Sequence, residues 1–312
     1  MSCINVNHLS KSYGSFKAVD DLVFSVKSGQ VFGFLGPNGA GKSTTIKLLT
    51  TLIPPSQGSL SIFGIDAIEN PLQVRHRMGV VLQQPSYEPT LSVEKALDKY
   101  GMMWNIPRAE RKKRMEQLLK DFDLVEIRKK RNEDLSIGQR RRVQVAREFM
   151  HDMDLLFLDE PTAGLDPGAR RKLLDYLKNK VKTGLTIFYT THILTEAEYL
   201  CDKIAIIDKG KIITIDSPDA LKNRFGKEKT IKIHLLEKQS KISSLLSRIP
   251  DCKIDFGTGT NIIIHSEQSE LVLLQVLKIL SDNCIEIEDL SAVPTNLEDI
   301  FLKMVRENTS NN

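Results

Sequence analysis

The sequence has no apolar run approaching the ~18 residues needed to cross a bilayer, so any membrane role has to come through a partner. Cysteine is scarce. Cys3, Cys201, Cys252 and Cys284 are scattered without C-x-x-C spacing, which argues against a zinc site and a disulfide framework. No N-terminal segment has the basic, apolar and small-residue order of a signal peptide, and a cytosolic location is expected. Charge of one sign is not in large excess. The net charge of +4 is compatible with a face near anionic lipid and does not by itself indicate one. The basic runs Arg108–Arg114 and Arg128–Arg131 lack an aromatic ladder and neighbour acidic residues, so they read as solvated helix faces rather than a nucleic-acid surface. What remains is a chain of 312 residues, 41% hydrophobic and 27% charged, a soluble globular composition with two domains as the prior.

The strongest signal is Gly36-Pro37-Asn38-Gly39-Ala40-Gly41-Lys42-Ser43-Thr44. It lies between the apolar run Val31–Leu35, which reads as a buried strand, and Thr45–Leu49, which reads as the start of a helix. Strand, glycine turn and helix are the context that a phosphate-binding loop requires. Glycines let the backbone curl its N–H groups around an anion, and the helix adds its orphan N–H groups and dipole. Lys42 is placed to reach the terminal phosphates and Ser43 to put a hydroxyl on Mg²⁺. The alternative is a glycine turn that only joins strand to helix.

Further candidates follow along the chain. Ile4, Val6 and His8 alternate as an edge-type strand, followed by a turn-rich Lys11–Gly14. Tyr13 alone reads as a surface aromatic, yet beside a phosphate loop its ring is a platform for adenine. Ser59–Phe63 and Arg77–Leu82 read as strands, the latter ending at Gln83, and about 92–123 reads as helical. Ser136 and Gln139 have capping-box spacing before a helix through about Met150; with Gly138 this N-terminus either only caps the helix or also faces an anion. Leu155–Leu158 reads as a central parallel strand ending in Asp159 and Glu160, where α/β folds bind ligands. Asp159 suits Mg²⁺ and Glu160 suits the activation of a water. Asp166 ends a tight turn, and His192 follows another buried-strand pattern, Thr186–Thr191, as a candidate γ-phosphate contact. From about Gly226 the pattern becomes βαββαβ, a split-βαβ arrangement, with Leu273, Val276, Leu277 and Leu280 on one helix face and a last helix from near Pro294.

In this order the motifs resemble the ATP-binding subunit of an ABC transporter, over roughly the first 225 residues. The resemblance implies an α/β P-loop NTPase core in residues 1–225, with a helical subdomain at about 86–150; the βαββαβ pattern after it reads as a small α+β ferredoxin-like domain in 226–312 with a regulatory or dimerisation role. The resemblance also implies ATP and Mg²⁺ as ligands. Tyr13 matches the residue that stacks on adenine, and Gly36 to Thr44 the Walker A motif. Gln83 matches the Q-loop glutamine, which senses Mg²⁺ and touches the membrane partner. Leu135–Gln139 matches LSGGQ, Asp159 the Walker B aspartate, and Glu160 the catalytic base. Asp166 matches the D-loop aspartate and His192 the switch histidine. Ile137 departs from the pattern, standing where the family has its first glycine; if φ > 0 is needed there, ATP contact is weakened.

The tail from Pro294 to Phe301 is similar to that of drug- and antibiotic-export subunits of the daunorubicin-resistance type, while sodium and polysaccharide exporters share the core. The resemblance implies a head-to-tail dimer of two copies, a separate transmembrane permease, a peripheral place on the inner face of the cell membrane, and no nucleic-acid partner. The competing reading is a soluble ABC-type ATPase acting on nucleic acid or ribosomes. Such translation proteins usually carry two nucleotide-binding halves, and this chain has one Walker A motif. The repair proteins insert a coiled coil or zinc hook, and the interval here is short. A regulatory module without hydrolysis is a third reading, which the presence of Glu160 opposes.

Overall fold

A computed structural model describes residues 2–84, 86, 88–225, 229–237, 242–247, 249–250, 252–257, 260–266, 268–294, 297–301 and 304. The chain forms two compact units, Met1–Asp216 and Ser217–Asn312. The first runs β1 (Ser2–Tyr13), β2 (Phe16–Lys27), β3 (Val31–Leu35), α1 (Lys42–Leu49), β4 (Gln57–Ile62), β5 (Ile65–Asp66), α2 (Pro71–Arg75), β6 (Met78–Val81), α3 (Val93–Met103), α4 (Arg108–Asp121), α5 (Ile137–Glu148), β7 (Leu155–Asp159), α6 (Pro167–Lys182), β8 (Thr186–Thr190), α7 (Leu194–Leu200), β9 (Lys203–Asp208) and β10 (Lys211–Asp216). Short 3₁₀ turns at Val125–Ile127 and Asn132–Asp134 join α4 to α5.

One sheet has the order β10-β9-β3-β8-β7-β6, and all of its strands but β10 run parallel. β3, β7 and β8 are buried at every position, which is why they read as unbroken apolar runs. The second sheet is antiparallel, β2-β1-β4-β5. Phe24 from β2 stacks on Phe32 of β3 at 5.4 Å, and Phe34 and Phe188 close the same aromatic core between the sheets. β3, β8, β7 and β6 are consecutive neighbours, so four chain segments arrive side by side at one edge, the place where open α/β sheets take ligands.

Several local expectations are corrected. β1 is not an edge strand; it pairs with both β2 and β4. It also runs on to Tyr13, which pairs with Phe16 across a Gly14-Ser15 turn instead of sitting in a loop. The helical stretch at 92–123 is two helices, because Asn105 takes φ 56° and Pro107, with no N–H to donate, stands before α4. The single turn of α2, opened by Pro71, is an element that the sequence pattern does not mark. The helix after Ser136 ends at Glu148, ahead of Met150.

The second unit contains α8 (Pro218–Phe225), β11 (Lys229–Leu235), α9 (Ile242–Leu246), β12 (Lys253–Phe256), β13 (Asn261–Ser266), α10 (Ser269–Asp282) and β14 (Ile287–Pro294). Its antiparallel sheet has the order β12-β13-β11-β14, and β11 to β14 carry the expected βαββαβ succession. α8 groups with this unit, so the division falls at Asp216–Ser217, whereas the sequence reading placed it after residue 225. α10 buries Val272, Val276 and Leu280, with Leu273 half-buried. Leu277 is exposed: about 100° of helix rotation carries it away from Val276. Pro294 ends β14 and helix begins by Leu297; Thr295, Asn296 and Gly226 lie outside the described residues.

Candidate functional site

The loop after β3 turns sharply into α1. Gly39 and Gly41 take φ of 82° and 104°, and a Cβ on Gly41 would stand 2.5 Å from the Ala18 carbonyl oxygen, so only glycine fits there. Gly41 is also the N-cap, and it offers no side-chain acceptor. The first-turn N–H groups of Lys42, Ser43 and Thr44 are therefore left without a side-chain cap, and a helix start of this kind attracts an anion. Asn38 and Gly39 are exposed at the loop tip, while Ala40 is buried. Lys42 is buried, and its Nζ folds back to donate to Gly36 O at 2.7 Å and Pro37 O at 3.0 Å. Burial lowers the Lys42 pKa, and the Glu160 and Asp159 carboxylates oppose that shift. The ammonium is held where an arriving anion has most to stabilise.

The adjoining strand ends meet this loop. Ser43 Oγ donates to Asp159 Oδ2 at 3.0 Å, and Thr190 Oγ1 donates to Asp159 Oδ1 at 2.5 Å. Glu160 is nearly buried and has φ 49°, a left-handed value rare outside glycine; its N–H donates to Thr190 O and Oγ1. Its Oε2 accepts from Gln83 Nε2 at 3.4 Å, and its Oε1 lies 3.3 Å from His192 Nδ1. Lys42, Ser43, Gln83, Asp159, Glu160 and His192 are thus brought together, although 150 positions of chain separate the first from the last. A hydroxyl and a carboxylate 3.0 Å apart, beside an amide side chain, are the hard oxygen donors that Mg²⁺ takes, and uncapped N–H groups with an ammonium fit a triphosphate. Both ligands fit the residues present.

Ser136, Gly138 and Gln139 form a second group. The capping box is complete: Ser136 Oγ accepts from the Gln139 N–H at 3.2 Å, and Gln139 Oε1 accepts from the Ser136 N–H at 3.0 Å. Ile137 is the first residue of α5 and is absent from the positive-φ residues. The position needs no left-handed backbone, so a β-branched residue is tolerated, and its side chain stands 68% exposed. A Cβ on Gly138 would meet the Gly164 carbonyl oxygen at 2.6 Å, which seats this turn against Ala163–Asp166 of the same chain. Asp166 caps α6, its Oδ1 accepting from the Ala169 N–H at 2.9 Å, and that bond holds its carboxyl below the usual range. Tyr13 is half-exposed at the β1–β2 hairpin, with Lys11 Nζ 5.4 Å above its ring.

Sequence reading missed Arg141. It is buried in α5, and its guanidinium donates to Leu82 O (2.7 Å), Asp159 O (2.5 Å) and Glu160 O (2.6 Å), so one side chain ties the strand end before Gln83 to both acidic residues. Nothing in a run of three arginines marks the middle one. Thr190, on both Asp159 and Glu160, was missed for the same reason: its partners are remote in sequence. Arg141→Met is expected to destabilise the first unit by roughly 3 kcal/mol or more, since each stranded buried carbonyl costs about 1–3 kcal/mol. Urea unfolding followed by circular dichroism checks it; an unchanged midpoint would mean that water replaces all three bonds.

A family model described as ABC transporter matches residues 19–163, and a second, for an AAA domain, matches 131–197. The chain is 32% identical over 311 residues to the linearmycin resistance ATP-binding protein LnrL of Bacillus subtilis, covering 96% of this chain and 97% of that one. It is 34% identical over 310 residues to the doxorubicin resistance ATP-binding protein DrrA of Mycobacterium tuberculosis, with coverage of 97% and 94%. A solved ATP-binding subunit of an ABC transporter superposes with a TM-score of 0.67 at 31% identity, over 72% of this chain and 93% of that one. A dimeric ATP-binding cassette bound to ADP and Pi has the same fold, with a TM-score of 0.64 at 24% identity over 69% and 98% of the two chains. Likeness along the whole length of such relatives, on the sheet edge that a phosphate loop requires, makes this chain a member of the ABC transporter ATP-binding proteins, the ATP-hydrolysing subunits of those transporters.

Proposed function

We propose that the chain energises a separate membrane-spanning permease that exports drug, antibiotic or lipid-like compounds. Among the described residues no helix is long and apolar enough to cross a membrane, so in this reading the subunit attaches to the inner face of the cell membrane through the permease. The cargo class rests on relatives whose names are those of resistance proteins. The observation that carries the ATPase chemistry is the carboxylate of Glu160, held between Gln83 and His192 next to Lys42, Ser43 and Asp159.

In this reading Tyr13 stacks on adenine, and the amides from Gly36 to Thr44 and the Lys42 ammonium hold the phosphates. Ser43 and Asp159 hold Mg²⁺, with Gln83 beside them; the ion, when bound, neutralises phosphate charge. Glu160 takes a proton from the water whose oxygen bonds to the γ-phosphorus as the bond from that phosphorus to the bridging oxygen breaks. His192 keeps the carboxylate oriented through Nδ1, and its ring contacts the γ-phosphate. The second unit serves regulation or dimerisation.

Two copies pack head to tail, each ATP lying between Gly36–Thr44 of one copy and Leu135–Gln139 of the other. The capping box supports this role, because it consumes only the third N–H of α5 and leaves those of Ile137 and Gly138 at the positive end of the helix. Asp166 sits at the same seam and couples the two sites. Sedimentation of Glu160→Gln with and without Mg-ATP, and of the same protein carrying Ser136→Arg, tests the assembly. The expected result is a dimer only with ATP, lost on Ser136→Arg while nucleotide remains bound. If the double variant still dimerises with ATP and a chain carrying Ser136→Arg alone hydrolyses ATP normally, Leu135–Gln139 is an ordinary helix cap.

A further inference from the structure

Three functional segments of the first unit converge on one buried carboxylate that takes no part in the hydrolytic step. Glu196, in the first turn of α7, is 2% exposed. Its Oε2 accepts hydrogen bonds from Tyr189 OH at 2.7 Å, Thr191 Oγ1 at 2.9 Å and Thr162 Oγ1 at 3.0 Å. Arg170 Nε lies 3.3 Å from Oε1, though not aligned as a hydrogen bond, so that contact is coulombic. Burial, and then the Glu196 charge, push the Tyr189 phenol well above its usual pKa, so it stays a donor.

Three of the partners lie close to a functional residue. Thr162 follows Glu160 by two positions, Thr191 immediately precedes His192, and Arg170 lies in the first turn of α6, which Asp166 caps. We infer that Glu196 is a positioning residue for hydrolysis: its carboxylate locks the loop of Glu160 through Thr162 and the loop of His192 through Thr191, so that Nδ1 of the exposed His192 stays within reach of Glu160. The inference rests on the assignment of Glu160 and His192 given under the proposed function. The physics favours a lock over a loose contact. A buried carboxylate surrounded by three hydroxyl donors and a cation cannot release one of them without leaving charge unsolvated, so the two loops are fixed relative to each other. His192 is 59% exposed and has little packing of its own to hold it.

The test is steady-state ATP hydrolysis, equilibrium binding of a fluorescent ATP analogue, and thermal unfolding of the full-length chain. The variants are Thr191→Val and Thr191→Ser, then Thr162→Val and Thr162→Ser, with Glu160→Gln and His192→Ala as references. Valine keeps the shape and removes the hydroxyl, which at Thr191 also accepts from the Ile193 N–H at 3.0 Å; serine keeps the hydroxyl. The expected result for each valine variant is a kcat lower by on the order of 10- to 100-fold, the range that misplacement by about an ångström produces, with nucleotide affinity unchanged and activity recovered in the serine variant. On a His192→Ala background, Thr191→Val is expected to add no further loss, because it acts through the imidazole. The inference is overturned if the valine variants turn over like the parent chain, if Thr191→Val and His192→Ala losses multiply, or if the loss follows the unfolding temperature and serine does not restore it. The two readings fail separately. Normal turnover by Glu160→Gln removes the site assignment itself, whereas a stalled Glu160→Gln beside normal valine variants removes only the positioning role of Glu196.

Discussion

Glu160→Gln is expected to bind ATP and stall, with kcat lower by on the order of 10² or more, as loss of a general base usually produces. The substitution keeps the side-chain volume and one oxygen acceptor, so the long bond from Gln83 Nε2 survives in kind and the left-handed backbone, held by Thr190, is undisturbed. What is lost is the group that takes the proton from water. Phosphoryl transfer offers the protein little covalent chemistry, so the remaining acceleration comes from phosphate positioning by Lys42 and the loop amides, which this variant retains. Initial rates of phosphate release, with ATP retention measured in parallel, check it. Near-normal turnover would assign the base to another group. Loss of ATP retention would point to damage in the loop.

The parts of the site that were legible in the sequence are those whose physics is local. The Gly36–Thr44 loop is legible because a tight turn between an apolar run and a helix demands glycine at Gly39 and Gly41 whatever else the chain does. The Ser136–Gln139 capping box is legible because its donors and acceptors lie three residues apart, and both bonds are present. Asp159 and Glu160 announce themselves by ending the continuous apolar run of a central strand. Ile137 shows the limit of this kind of reading: the motif suggested a backbone demand, and only the helix start itself shows that this position is the first α5 residue and makes none. Arg141, Thr190 and Glu196 were not legible at all. Each acts through partners supplied by other strands and loops, and a single sequence does not indicate which arginine or threonine among many faces them. The division of 92–123 into two helices was available in principle from Pro107, but the charged pattern on either side of it hid the break.

Lys42→Ala is expected to lower ATP affinity by a factor on the order of 10² or more, since truncating one partner of a buried charge pair costs about 2–5 kcal/mol. Among the described residues, Lys42 Nζ donates to two backbone carbonyls, Gly36 O and Pro37 O, and has no ion-pair partner within bonding distance, so the ammonium is buried against dipoles. Burial lowers its pKa, and the nearby Asp159 and Glu160 only partly counter this. A triphosphate brings formal negative charge to a cation that is otherwise under-solvated, and the gain is largest where water is already excluded. The loop itself should survive the change, because its turn is set by Gly39 and Gly41 and its far side by the Gly210 N–H bonded to Ala40 O at 3.0 Å. Calorimetric titration with Mg-ATP gives the affinity, and thermal unfolding without nucleotide gives the control. A large loss of affinity with an unchanged unfolding temperature is the expected pair. Full ATP affinity in Lys42→Ala would mean that the amides alone hold the phosphates and that Lys42 is a structural clamp on the Gly36–Pro37 carbonyls.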